Sequence, residues 1–269
     1  MSSKWLDFYL KSSMHVALAV VALASSNALY LNKQVSLEYV IWLFSATLLF
    51  YNALKYFQPL LTNKIRSKRL RTALVLITLV AALVCLFLFQ TFSTVQYALM
   101  GIALVLGSSY VLSPNALFSR ENGLLKTLTV ALVWAIVTVL MPNNSWADIG
   151  ATTWLQFVAT IFWVLALMLP FELKDAALDR LTYRTIVQQL GPNKSHYLAQ
   201  LFLALWFIGM LVLPLRLEQY LALISTYAIS AVFIRRAMFK ARDFFVVFWV
   251  EALPVIGLIA YVGFYLWLK

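Results

Sequence analysis

Nine apolar runs divide this chain, near residues 14–31, 37–56, 71–90, 95–112, 125–142, 152–170, 196–214, 217–235 and 245–268. A bilayer core of about 30 Å is crossed by roughly 17 to 25 helical residues, so each run is long enough to span a membrane. Inside hydrocarbon the backbone has to satisfy its own N–H and C=O groups, which makes runs of this length helices and not strands. The expected fold class is an all-α integral membrane protein, a multi-pass bundle of about nine transmembrane helices forming one domain over residues 1–269. Lys4 and Lys11 precede the first run as in a signal peptide, but small-residue patterns such as Ala17-Leu18-Ala19 fall too early inside it for cleavage, so it reads as a span.

The chain carries 21 Lys and Arg against 10 Asp and Glu, a net charge of +11. Nucleic acid, anionic lipid and an acidic substrate would each suit such an excess until its location is known. With nine spans, 18 of the 21 basic residues fall on the side of the N-terminus, and only Lys33, Arg216 and Lys269 face the other way. This is the positive-inside pattern, and it places the N-terminus in the cytoplasm and the C-terminus outside. Topology thus accounts for the charge, which leaves membrane lipid as the expected surroundings and implies no nucleic-acid partner. A composition with 63% hydrophobic and 12% charged residues also excludes a soluble enzyme. One cysteine, Cys85, and two histidines, His15 and His196, cannot supply a disulfide, a zinc finger or a haem ligand set, so any metal has to be held by carboxylates.

Two connections on the basic side, near 57–70 and 171–195, are long and polar, which makes the cytoplasmic face the expected active face. The second contains Glu172, Asp175 and Asp179, spaced i, i+3, i+7, so in a helix all three carboxylates share one face. Carboxylates at this spacing repel unless a cation lies between them. Mg²⁺ takes oxygen ligands and commonly bridges protein carboxylates to substrate phosphates, so the triplet is a candidate metal site for a diphosphate. The other reading is a solvated helix start in which Lys174, Arg180 and Arg184 neutralise the acids.

Nine spans, a cytoplasmic N-terminus and this acidic segment, followed by Arg180, Tyr183-Arg184-Thr185-Ile186-Val187 and Gly191, resemble the UbiA superfamily of intramembrane prenyltransferases. The resemblance implies two Asp-rich motifs that bind an isoprenoid diphosphate through Mg²⁺. It assigns Glu172, Asp175 and Asp179 to the metal, with Asp175 and Asp179 catalytic. The first motif, N-D-x-x-D-x-x-x-D in the family, falls on Asn52-Ala53-Leu54-Lys55-Tyr56-Phe57-Gln58-Pro59-Leu60, where Asn52 matches and the acidic places hold Ala53, Tyr56 and Leu60. A Tyr-x-x-x-Lys element aligns Tyr110 with Pro114, without its lysine. One Mg²⁺ site is therefore expected to be weakened or lost. Lys55, three residues beyond Asn52 on the same helical face, either substitutes for that cation or snorkels to the headgroups. The expected substrate-binding set is Asn52, Lys55, Tyr110, Lys126, Arg180 and Arg184.

The implied activity is transfer of a prenyl group from a prenyl diphosphate to a lipophilic acceptor. The competing expectation is a non-catalytic protein of the same kind that binds an isoprenoid lipid or a partner subunit, and a small transporter is the third. Glu251, inside the ninth run and one turn before Pro254, is either a functional group facing the bundle interior or a protonated or paired one. Asn27, Gln90, Thr138 and Gln156 are expected to hydrogen-bond between helices, and Cys85 to pack.

Overall fold

A computed structural model describes residues 4–61, 67–112, 123–176, 185–240 and 243–269. Helices lie over each of the nine apolar runs. They are α2 (Met14–Tyr30), preceded by the short α1 (Lys4–Lys11), then α3 (Leu37–Leu61), α4 (Lys68–Phe89), α5 (Thr94–Leu112) and α6 (Gly123–Ala135). They continue with α7 (Ala151–Asp175), α8 (Ile186–Leu211), α9 (Leu217–Phe239), α10 (Asp243–Phe245) and α11 (Leu253–Trp267). Among the described residues five helices are long and apolar enough to cross a membrane, or six if α1 and α2, bent by 64°, form one span.

Two packed series make up the bundle. In one, α3 joins α2 to α4; in the other, α5 through α9 pack in order, α9 packs on α11, and α11 returns to α2. The outer surface is apolar: Leu79, Leu83, Leu86 and Phe87 of α4 are all exposed, as suits side chains solvated by lipid. Inside, Asn27 joins three helices. Its amide donates to Thr138 Oγ1 at 3.3 Å, and its Oδ1 accepts from Gln156 Nε2 at 2.9 Å and from Thr160 Oγ1 at 3.5 Å. Three of the four expected interhelical groups thus form one network, whereas Gln90 caps the end of α4 and is exposed.

Two helices contain a π-helical turn, each a few residues ahead of a proline. After α6 the turn Ile136–Leu140 ends with Met141 N–H on the Ile136 carbonyl, 2.9 Å away, which removes the usual partner of the Val137 carbonyl. Pro142 has no N–H to replace it, and the Tyr39 hydroxyl donates there instead. Between α10 and α11 the turn Val246–Val250 brings Glu251 N–H to the Val246 carbonyl at 3.3 Å, with Pro254 three residues on.

The polar connections are shorter than expected, because helices need not stop where hydrophobicity does. α7 runs to Asp175, and α8 begins at Ile186, ten residues ahead of its apolar run. Thr185 caps it: Thr185 Oγ1 accepts from Gln188 N–H at 3.2 Å, and Gln188 Oε1 accepts from Thr185 N–H at 3.1 Å. A kink follows at Gly191, whose φ of 75° requires glycine ahead of Pro192. At the opposite end Lys33 Nζ donates to Asn143 Oδ1 and to the Asp148 carbonyl, both at 2.6 Å, and so fastens the 141–150 connection to the end of α2. Burial pulls the Lys33 ammonium pKa down, and the nearby Asp148 opposes that shift.

Candidate functional site

A cavity of about 640 Å³ opens among α3, α4, α5, α6, α7 and the α10–α11 helix. Its walls are apolar and aromatic, with Trp42, Phe50, Tyr51, Trp134 and Phe171 among them. The Trp134 indole donates to the Tyr51 hydroxyl at 3.2 Å and sets the orientation of both rings. Leu86 and Phe89 of α4 and Leu104 of α5 line the cavity and are also exposed on the outer surface. The cavity is therefore open sideways, toward where lipid would lie. Gly107 makes the α3–α5 contact possible, since a Cβ there would stand 3.0 Å from the Phe50 ring.

Three charged side chains line this apolar space: Lys126, Asp175 and Glu251. Lys126 lies on the first turn of α6 and Asp175 at the end of α7, so both belong to the rim on the basic end of the bundle. Asp175 is paired with its neighbour Lys174. Lys126 has neither a hydrogen bond nor an ion pair among the described residues, which leaves a free ammonium on an apolar rim. Lys55 stands nearby, within electrostatic reach of Glu251 and Lys174. It is exposed, donates to Ser13 Oγ at 3.1 Å and lies 5.9 Å from the centre of the Tyr51 ring. Ser13 is presented by the break between α1 and α2, where its own φ is 63°.

The expected residues are therefore only partly brought together. Glu172 does not line the cavity; it is 3% exposed, accepts a hydrogen bond from the Thr127 hydroxyl, and lies beside the Val187 and Ile186 amides that open α8. The Thr127 hydroxyl holds one oxygen of this carboxylate where α6, α7 and α8 meet, while Oε2 is buried without a hydrogen bond among the described residues. Asn52 is likewise turned away from the cavity, is 3% exposed, and donates to Thr78 Oγ1 of α4 at 3.1 Å. Of the other first-motif positions, Ala53 faces the cavity and the Tyr56 hydroxyl donates to the Lys11 carbonyl at 2.7 Å. Asp179, Arg180 and Arg184, and the side chains of Tyr110 and Leu60, lie outside the described residues. Sequence reasoning did not single out the wall residues Phe50, Tyr51 and Trp134, because aromatic positions inside apolar runs carry no signal of which face meets a cavity.

No protein-family model matches the chain, and no curated protein matches it in sequence. In three dimensions it is similar to a UbiA homolog from Archaeoglobus fulgidus, solved bound to GPP and Mg²⁺, with a TM-score of 0.58 over 94% of this chain and 99% of that chain, at 13% identity. This chain has the UbiA fold.

The UbiA fold raises the question of Mg²⁺, which the donor set answers for the described residues. Among them no group of three or more His, Cys, Asp or Glu side chains converges. Glu172 is held by Thr127, and Asp175 is the one carboxylate at the rim, already paired with a lysine. Mg²⁺ demands several oxygens in near-octahedral array, and the described residues do not fit it. What they offer at the rim are ammonium groups: Lys126, with Lys174 and Lys55 close by.

Proposed function

We propose that this protein is a divergent UbiA-type membrane prenyltransferase of nine spans, whose basic end faces the cytoplasm. It binds a prenyl diphosphate with the chain in the apolar cavity and the diphosphate at the lysine-bearing rim, and passes the prenyl group to a lipophilic acceptor. The single observation that carries this reading is Lys126, without an ion pair among the described residues, on the rim of a 640 Å³ apolar cavity in this fold.

The chemistry needed at such a site is departure of the diphosphate. Breaking the allylic C–O bond leaves negative charge on the leaving group, and cations already in place stabilise it without reorganising. Lys126, Lys174 and Lys55 supply these cations, with Asp175 orienting Lys174. The faces of Trp134, Tyr51 and Phe50 offer electron density to an allylic cation. The apolar wall excludes water, which would otherwise capture that cation. On the resemblance alone, Asp179 joins Asp175 as a catalytic acid and Arg180, Arg184 and Tyr110 join the diphosphate contacts. Asn52 and Glu172 serve the site by fixing α4 and α8 around it.

One observation favours a second reading, a binding protein that does no chemistry: Ala53 faces the cavity where the first motif would place an acid. Purified protein titrated with geranyl diphosphate tests the transferase reading, and absence of measurable affinity refutes it. A lipid and quinone profile of cells lacking the protein separates them, since a missing prenylated product is expected only of the transferase.

A further inference from the structure

Among the described residues, Glu251 is the one charged group lining the cavity that neither the diphosphate rim nor the packing of the fold uses. It lies in the membrane-spanning segment Asp243–Trp267 and lines the cavity, yet it has no hydrogen bond and no ion pair among the described residues. Lys55 and Lys174 act on it electrostatically, and neither is close enough to form an ion pair. A carboxylate without partners in apolar surroundings costs several kcal/mol, so its presence needs a reason.

It lies deeper along its helix than the helix-end groups of the rim, within electrostatic reach of Lys55 and Lys174. Glu251 follows Asp243 by eight residues, about 12 Å along a helix, whereas Lys126 and Asp175 sit on terminal turns of their helices. The π-helical turn that ends at Glu251 inserts one extra residue into the helix and resets which side chains face inward, and Pro254 lines the cavity beside it. We propose that Glu251 is the acceptor-binding carboxylate of this site. It accepts a hydrogen bond from the hydroxyl of a lipophilic acceptor and takes its proton on transfer. The proposal rests on the prenyl-transfer reading above and adds to it the chemical class of the second substrate.

A neutral O–H donor suits the surroundings better than an amine cation. Lys55, Lys126 and Lys174 already concentrate positive charge nearby, and a further cation would be repelled by them, whereas O–H on a carboxylate is among the strongest hydrogen bonds available. The step balances. The allylic C–O bond breaks and its electron pair leaves on the diphosphate. The acceptor's nucleophilic atom donates a pair to the prenyl carbon to form the new bond, and the acceptor's proton passes to the Glu251 carboxylate.

The test compares nonylphenol with its methyl ether, by calorimetric titration into the purified full-length protein in detergent, with geranyl diphosphate affinity measured alongside. Wild type is expected to bind the phenol about tenfold tighter than the ether. In Glu251→Leu the ratio falls to about one while geranyl diphosphate still binds, an outcome that a purely structural role would not produce. A ratio that stays near tenfold in Glu251→Leu, or no preference in wild type, overturns the proposal. If Glu251→Leu no longer binds geranyl diphosphate, the isosteric Glu251→Gln decides, and an unchanged ratio there overturns it. Wild type that fails to bind geranyl diphosphate counts against the prenyl-transfer reading, and the phenol-to-ether ratio is still read on its own.

Discussion

Lys126→Met isolates the electrostatics of the rim, because methionine keeps most of the stem and removes only the charge. Lys126 forms no ion pair among the described residues, and the one carboxylate acting on it from α7, Glu172, is already held by Thr127. Its ammonium therefore breaks no contact among the described residues on meeting an anion. At about 4 Å and an effective dielectric of about 20, unit charges attract by about 4 kcal/mol. Stripping water from the ammonium and the phosphate offsets much of that, and charge-assisted hydrogen bonds retain about 1.5–3 kcal/mol. The expected loss of geranyl diphosphate affinity is therefore about 10- to 150-fold. Trp42 and Trp134 line the cavity, so tryptophan fluorescence of the protein in detergent reports occupancy directly. Geraniol, which has the same chain without the diphosphate, provides the control and is expected to bind the variant within about twofold of wild type. A loss below about threefold for the diphosphate, or an equal loss for geraniol, refutes the assignment of Lys126 to the anion.

Gly107→Val forces the Phe50 ring, 3.0 Å from the new Cβ, to move within the cavity wall, and is expected to weaken geraniol and geranyl diphosphate alike by about tenfold in the same fluorescence titration. An effect confined to the diphosphate would count against Phe50 as part of the chain-binding wall. Asn27→Leu removes the group shared by Thr138, Gln156 and Thr160 and should lower stability by about 1–2 kcal/mol in reversible unfolding from detergent; an unchanged midpoint would show that the network is dispensable. Replacing Mg²⁺ by EDTA is expected to change geranyl diphosphate affinity by less than about threefold, while a loss beyond about tenfold would show that carboxylates outside the described residues complete a metal site.

The helices were legible in the sequence because an apolar run of spanning length has few alternatives in lipid, and the interhelical roles of Asn27, Thr138 and Gln156 because an amide or hydroxyl mid-run needs a partner. Gln90 shows where that logic stops: at the last turn of a helix a polar side chain needs no partner in the bundle. The two π-helical turns were not legible. The adjacent prolines are visible, but the carbonyl each turn releases is satisfied, where it is satisfied, by a group far off in sequence, as Tyr39 does for Val137. The acidic triplet was legible as a face, and its two members among the described residues, Glu172 and Asp175, meet different neighbours. Residues i and i+3 share a face of α7, yet the capped start of α8 and Thr127 claim Glu172 while Asp175 reaches the cavity. Which neighbour arrives at a helix face is a property of the packed bundle, and spacing alone does not contain it.

The charge balance at the cavity bears on how such a site holds an anion. Among the described residues Lys174 pairs with Asp175, Lys55 and Lys174 act on Glu251, and Lys126 lines the same cavity. Two carboxylates that already face lysines leave little negative charge to retain divalent ions, and each added Mg²⁺ would increase the repulsion. The same group of charges carries a net positive charge before any ion binds, which suits a diphosphate directly. On the proposed function, the absence of acids at the first-motif positions and the presence of Lys55 among them act in the same direction: together they would leave the chain itself, and not a bound metal, to balance a diphosphate. Glu251 then has a purpose that a metal-based rim would not require. Lys55 and Lys174 act on it electrostatically while it lines the apolar wall, where the proposed acceptor would approach the prenyl carbon.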